Sequence, residues 1–178
     1  MVSIEDAIST YILAKDGNRP FLIPRAFAPN AELAMQVKTD AISFPGSAKG
    51  LASITDILVS RFASDYEDIF TFCLSRPAPE QREHFACDWL VGMSTKQDGA
   101  VRVGCGRYDW RFNEGGLISK LAIAIEAMEV LPVSAAPPVF AWLGGLPYPW
   151  CTNDQALAAM PALAELATIR SFLGVQNP

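Results

Sequence analysis

The stretch Tyr108-Asp109-Trp110-Arg111-Phe112-Asn113-Glu114-Gly115-Gly116-Leu117-Ile118 decides how this chain reads. Arg107, Asp109 and Arg111 alternate with Tyr108, Trp110 and Phe112, and a period of two sends such sets to opposite faces of a strand. One face is aromatic and the other charged. The Asn-Glu-Gly-Gly turn then reverses the chain into a second apolar run, so the two runs read as a hairpin.

Working outward, residues 69–75, 84–94, 100–112 and 117–130 are all rich in aromatic and β-branched residues, with turn signals between them. They predict four strands joined as hairpins or a meander. The amino-terminal part has a different period. Ser3 followed by Asp6 resembles a capping box, and Ile4, Ile8, Tyr11 and Ile12 form a helical stripe that ends near Asp16-Gly17. A short second helix is predicted over 21–27 and a strand over 31–37. The turn-rich 44–50 leads into a third helix, where Leu51, Ile54, Leu58 and Phe62 share a face. Helices followed by an antiparallel sheet predict an α+β domain with its helices gathered on one side of the sheet.

That domain spans 1–132. Residues 133–178 form a proline-rich, then helical, extension, with helix from Asn153 and a second segment starting at Pro161 and ending at Leu173-Gly174. Its apolar positions, such as Leu163, Leu166 and Ile169, need a partner surface, either the sheet or a neighbouring subunit. The run 84–93 has no clearly polar face, so both faces of the sheet need cover, and a homodimer is expected.

Composition narrows the function classes. The 178 residues are 51% hydrophobic and 19% charged with a net charge of -5, so the basic footprint of a nucleic-acid or anionic-membrane binder is missing. Residues 130–153 carry no charge, but Pro132, Pro137, Pro138, Pro147 and Pro149 prevent a continuous spanning helix. The acidic start Ser3-Ile4-Glu5-Asp6 differs from a signal peptide, and the four cysteines include no CxxC pair. The expectation is a reduced, cytoplasmic protein with no metal and no cofactor.

Three segments carry a family resemblance: Tyr11-Ile12-Leu13-Ala14 through Arg25 to Leu33, Gly50-Leu51-Ala52-Ser53-Ile54, and Tyr108 through Ile118. In order and spacing they resemble the nuclear transport factor 2-like superfamily, including SnoaL-like polyketide cyclases and ketosteroid isomerases. The resemblance implies a cystatin-like cone of helices over a curved sheet across about 4–130, with the extension outside it. It also places Tyr11 where the isomerases have a hydrogen-bonding tyrosine, and their second acid at Tyr108 or Asp109. Their general base would fall near Ala34 or Met35, and neither can accept a proton. The epoxide hydrolases' Asp-Arg-Asp set and the dehydratases' histidines are not matched, since Ile123 and Ala124 stand where an Asp is needed and His84 is the only histidine.

The remaining motifs are weak. Gly104-Cys105-Gly106 reads as a strand bulge, Gly46-Ser47-Ala48-Lys49-Gly50 as a turn able to hold an anion, and His84 as a strand-end residue without a metal-ligating partner. Asp88 is either an acid or base in a desolvating pocket or the partner of Arg107 or Arg111 across the sheet. The expected catalytic set is Asp88, Tyr11, Tyr108 and Asp109, with Trp89, Trp110, Met35 and Phe62 as ligand-binding walls. These suit a pocket for a small hydrophobic, ring-containing molecule, with or without cofactor-independent isomerisation, cyclisation, dehydration or hydrolysis. The alternatives are a non-catalytic dimerising or partner-binding module, in which the 142–150 segment seals the cone, and a small subunit of an aromatic-ring dioxygenase.

Overall fold

The structure is a computed structural model that describes residues 1–175. Helix α1 (Ile4–Asp16) opens on Ser3, whose Oγ accepts the Asp6 N–H at 3.0 Å, and closes at Gly17. Its buried face carries Ile4, Ile8, Tyr11 and Ile12 and then continues onto Lys15. A 3-10 turn (Pro20–Leu22) and α2 (Ile23–Ala26) lead into β1 (Phe27–Val37), which begins earlier than the expected 31–37. After the short β2 (Ser47–Lys49), α3 (Leu51–Thr55) continues through a π-helical stretch (Asp56–Ser60) into α4 (Arg61–Asp65) as one rod.

Strands β3 (Tyr66–Cys73), β4 (His84–Thr95), β5 (Val101–Phe112) and β6 (Ile118–Leu131) form the antiparallel meander the sequence predicts. β3 starts at Tyr66, before the expected residue 69, and Asp68, at φ 51°, sits where the register with β4 shifts without ending the strand. The sheet order is β2-β1-β6-β5-β4-β3, and β1 lies parallel to β6, an exception to the all-antiparallel expectation. The last strand, β6, returns to lie beside β1 after the intervening helices and the meander.

The sheet is apolar on both sides. On the concave side Phe85, Cys87 and Trp89 of β4 join Tyr108, Trp110 and Phe112 of β5 under the helices. On the convex side Phe72, Leu90, Val101, Val103 and Leu131 pack against the extension. There α5 (Ala136–Gly144), α6 (Asn153–Ala158) and α7 (Ala167–Gly174) bring in Val139, Trp142, Leu143, Ala156, Ile169 and Leu173. Gly92 makes this docking possible, since a Cβ there would lie 2.1 Å from a Leu143 methyl. Pro161 does not start a helix: the chain from Pro161 to Leu163 is irregular, and α7 begins at Ala167. The extension thus covers the convex side of the sheet within one chain.

Between α5 and α6 the extension crosses to the concave side. Cys73 donates its N–H to Pro149 O at 2.8 Å and accepts from Cys151 N at 3.1 Å, a parallel bridge on the free edge of β3. This strap sets Trp150 into the concave core, where its Nε1 donates to Ser9 Oγ of α1 at 3.2 Å. Among the described residues no helix is long and apolar enough to cross a membrane.

Candidate functional site

Between the helical roof and the concave side of the sheet lies a cavity of about 50 Å³. Its wall is almost entirely apolar: Met35 of β1, Leu58 and Phe62 of the helical rod, Val91 and Met93 of β4, and Met128 of β6. Ile42 and Phe44, from the segment between β1 and β2, complete it. Phe44 stacks on Phe62 with ring centres 6.3 Å apart, and both, with Ile42, also line an outer recess of about 140 Å³. These three side chains are therefore the partition between the cavity and the surface. Arg102 holds the partition segment down by donating to Ala41 O, and its guanidinium lies 5.6 Å from the Tyr66 ring centre.

The polar groups in the wall come from a few places. Lys15 is 6% exposed, and its Nζ donates to Asp16 Oδ1 at 3.0 Å and Thr71 Oγ1 at 2.7 Å. Its charge also sits 4.6 Å from the Phe62 ring centre, a cation–π contact. A buried ammonium needs such compensation, because an isolated charge in an apolar interior is prohibitively costly. The Asp16 carboxylate also accepts from Thr71 N at 2.7 Å, Thr71 Oγ1 at 2.8 Å and the Tyr148 hydroxyl at 2.8 Å. With four donors the carboxylate is well satisfied, and the ammonium is held by Asp16, Thr71 and the Phe62 ring.

Tyr11 and Trp89 also line the cavity, and neither Tyr11 Oη nor Trp89 Nε1 has a hydrogen-bond partner on the protein. Tyr108 lies beside Tyr11, and burial drives the Tyr11 phenol pKa up. Burial drives Tyr108 up as well, with Tyr11 the next cause. Both phenols therefore stay protonated at neutral pH and can serve as hydrogen-bond donors, not as phenolate bases. Trp89 lies where it does because of Gly106: a Cβ there would come within 1.9 Å of Ala124 O and 2.6 Å of the indole.

Of the side chains singled out from the sequence, Tyr11, Tyr108, Trp89, Met35 and Phe62 meet at this cavity. Trp110 does not line it; it is packed in the core against Tyr11 and Tyr108, with its own Nε1 unpartnered. Asp88 and Asp109 lie on the convex side, Asp88 bonded to Arg107 at 3.1 Å and Asp109 to His84 Nε2 at 3.0 Å. The parity of β4 and β5 dictates this, since Trp89 and Tyr108 face inward and each acid is the neighbour of one of them. Among the described residues the cavity wall thus contains no carboxylate and no imidazole.

Sequence reasoning missed Lys15, Asp16, Thr71 and the Ile42–Phe44 partition. Lys15 was legible: the stripe Ile4, Ile8, Tyr11 continues to residue 15, and reading a charge as the end of an apolar face hid it. Nothing in the sequence places Thr71 or Tyr148 beside Asp16.

No protein-family model matches the sequence, and no curated protein matches it. Solved structures do. A nuclear transport factor 2-like superfamily protein from Salmonella enterica superposes with a TM-score of 0.54 at 16% identity, over 70% of this chain and 89% of its own. A type 2 hexachlorocyclohexane dehydrochlorinase gives 0.56 at 15% identity, over 72% and 86%. A protein of ketosteroid isomerase-like fold from Catenulispora acidiphila, in complex with trimethylamine, gives 0.53 at 14% identity, over 66% and 83%. At these identities the likeness is one of fold, and that fold is the nuclear transport factor 2-like cone.

Proposed function

We propose that this chain uses its nuclear transport factor 2-like cone to bind a small apolar molecule in the cavity beneath Phe44 and Phe62. The observation that carries the reading is an apolar hollow beneath the helical roof, with Tyr11, Lys15, Thr71 and Tyr108 among its lining residues. That is the usual makeup of a small-molecule site. At about 50 Å³ the cavity is far smaller than a drug-sized pocket of roughly 300–1,000 Å³. A ring-sized ligand enters when the partition of Ile42, Phe44 and Phe62 swings aside and joins the cavity to the outer recess.

Binding is favoured over proton-shuttling catalysis, because isomerisation or dehydration by acid–base chemistry needs a base and the wall offers only protonated phenols and a paired ammonium. The small volume also favours a second reading, a non-catalytic module whose cone is closed by the 147–151 strap. Mass spectrometry of an organic extract of the purified protein separates the two. The first reading expects one small apolar compound retained in near-stoichiometric amount; an empty extract, with no thermal stabilisation by any member of a fragment library, favours the second.

A further inference from the structure

The segment between β1 and β2 that carries Ile42 and Phe44 has no regular secondary structure. Its two ends are pinned to the sheet. Lys38 donates its N–H to Ile125 O of β6 at 3.0 Å and its Nζ to Glu126 at 2.7 Å, and Gly46 O accepts from Met35 N of β1 at 2.9 Å. Between these ends, the Ala41 N–H is taken by Thr39 Oγ1 of the same segment. Among the described residues, the one hydrogen bond that ties 39–45 to the rest of the chain is the bond Ala41 O accepts from Arg102. Arg102 stands directly opposite Met93 in the β4–β5 register, so it projects on the cavity side of the sheet, where β5 otherwise presents Gly104, Gly106 and aromatic rings. It is half-buried, and among the described residues it forms no ion pair. Its guanidinium is instead compensated by Ala41 O, by Thr95 Oγ1 at 3.3 Å from Nε, and by the Tyr66 ring.

We propose that residues 39–45 form a flap over the cavity, hinged at Lys38 and Gly46, and that Arg102 is its latch. The inference rests on the small-molecule reading of the cavity and adds the device that controls entry. Ile42 and Phe44 are the part of the flap that separates the cavity from the outer recess. Once Arg102 lets go of Ala41 O, packing alone opposes their lift and the two spaces join. Gly46 suits a hinge, because nothing lies within 4 Å of the place its Cβ would take and the backbone there is free to turn. The guanidinium suits a latch, because its planar fork meets a carbonyl, a hydroxyl and a ring face at once, which a lysine ammonium cannot do.

The test reads flap opening without any ligand. In an Ile42→Cys background the introduced thiol is covered while the flap is down, so its rate of labelling by N-ethylmaleimide follows the population of the open flap. Adding Arg102→Met is expected to raise that rate at least about tenfold, the factor that loss of one charged hydrogen bond provides. The native cysteines, all buried, are expected to stay unlabelled on the same timescale. Arg102→Lys is expected to raise the rate severalfold, and Arg111→Met, exposed on the other face of the same strand, to leave it unchanged. An unchanged rate in both Arg102 variants would overturn the latch, and so would labelling of the native cysteines as fast as the introduced thiol in both, since the opening would then be global. Exchange of cyclohexanone, followed by NMR on the wild type and Arg102→Met, completes the test. Association and dissociation are expected to quicken together with little change in Kd, because the latch acts on the flap whether the cavity is filled or empty. Faster labelling with unchanged exchange rates would overturn the flap as the route of entry. Faster labelling with no cyclohexanone bound to either protein would uphold the latch and overturn the pocket reading.

Discussion

Tyr148 Oη donates a 2.8 Å hydrogen bond to Asp16 Oδ2, tying the carboxy-terminal extension to the last turn of the first helix. The same carboxylate holds Lys15 and both the N–H and hydroxyl of Thr71, so helix, edge strand and extension meet at one buried charge. Removing one side of a buried ion pair leaves the other charge uncompensated.

Asp16→Ala is therefore expected to destabilise the fold by about 3–5 kcal/mol. Thr71→Val leaves the pair intact but strips a hydroxyl from each partner, and about 1–3 kcal/mol is expected. Urea unfolding at neutral pH checks both, and an Asp16→Ala loss no larger than that of Thr71→Val would contradict the role given to the pair.

Gly106 lies where β5 passes under the Trp89 indole and against the Ala124 carbonyl, and a Cβ there would lie only 1.9 Å from that oxygen. Gly106→Ala must push the strands apart or tilt the indole, with an expected loss of about 1–3 kcal/mol or more. Gly46 has nothing within 4 Å of its Cβ position, so Gly46→Ala is the control, expected within about 0.5 kcal/mol of wild type. Thermal unfolding of the two variants side by side checks the contrast.

The protein should lose stability on the alkaline side. Burial pushes Cys105 up to about 12 and Cys151 to about 11, and drives Tyr11 and Tyr108 upward as well. An unfolded chain releases thiol protons from about pH 8.5 and phenol protons from about pH 10, while the folded chain retains them. The unfolded state then binds fewer protons, so stability is full below about pH 8.5 and falls as pH rises. The Cys151 part is lost by about pH 11 and the Cys105 part by about pH 12. Tm measured from pH 7 to 11 should decline above about pH 8.5, and Cys105→Ala should decline less steeply; a flat wild-type profile would contradict the burial of these groups.

Much of the architecture is readable from residue patterns, because each pattern reports one local constraint. The alternation through Tyr108–Phe112 separates the faces of β5, the Ser3–Asp6 cap starts α1, and the bulge suggested by Gly104-Cys105-Gly106 falls where the β5–β6 register shifts. What failed was tertiary. Alternation separates the two faces but does not say which is concave, so Asp88 and Asp109 stood as site candidates beside Trp89 and Tyr108 until the curvature of the sheet put the acids outside. Lys15 and Thr71 meet across 56 positions of sequence, and no local signal encodes that contact.

A crystal structure of the chain soaked with cyclohexanone tests the central claim most directly. The account predicts the ring in the cavity beneath Phe44 and Phe62, against Met35, Leu58 and Met128. A cavity that stays filled by its own side chains under a saturating soak, or a ring bound elsewhere on the chain, would contradict it.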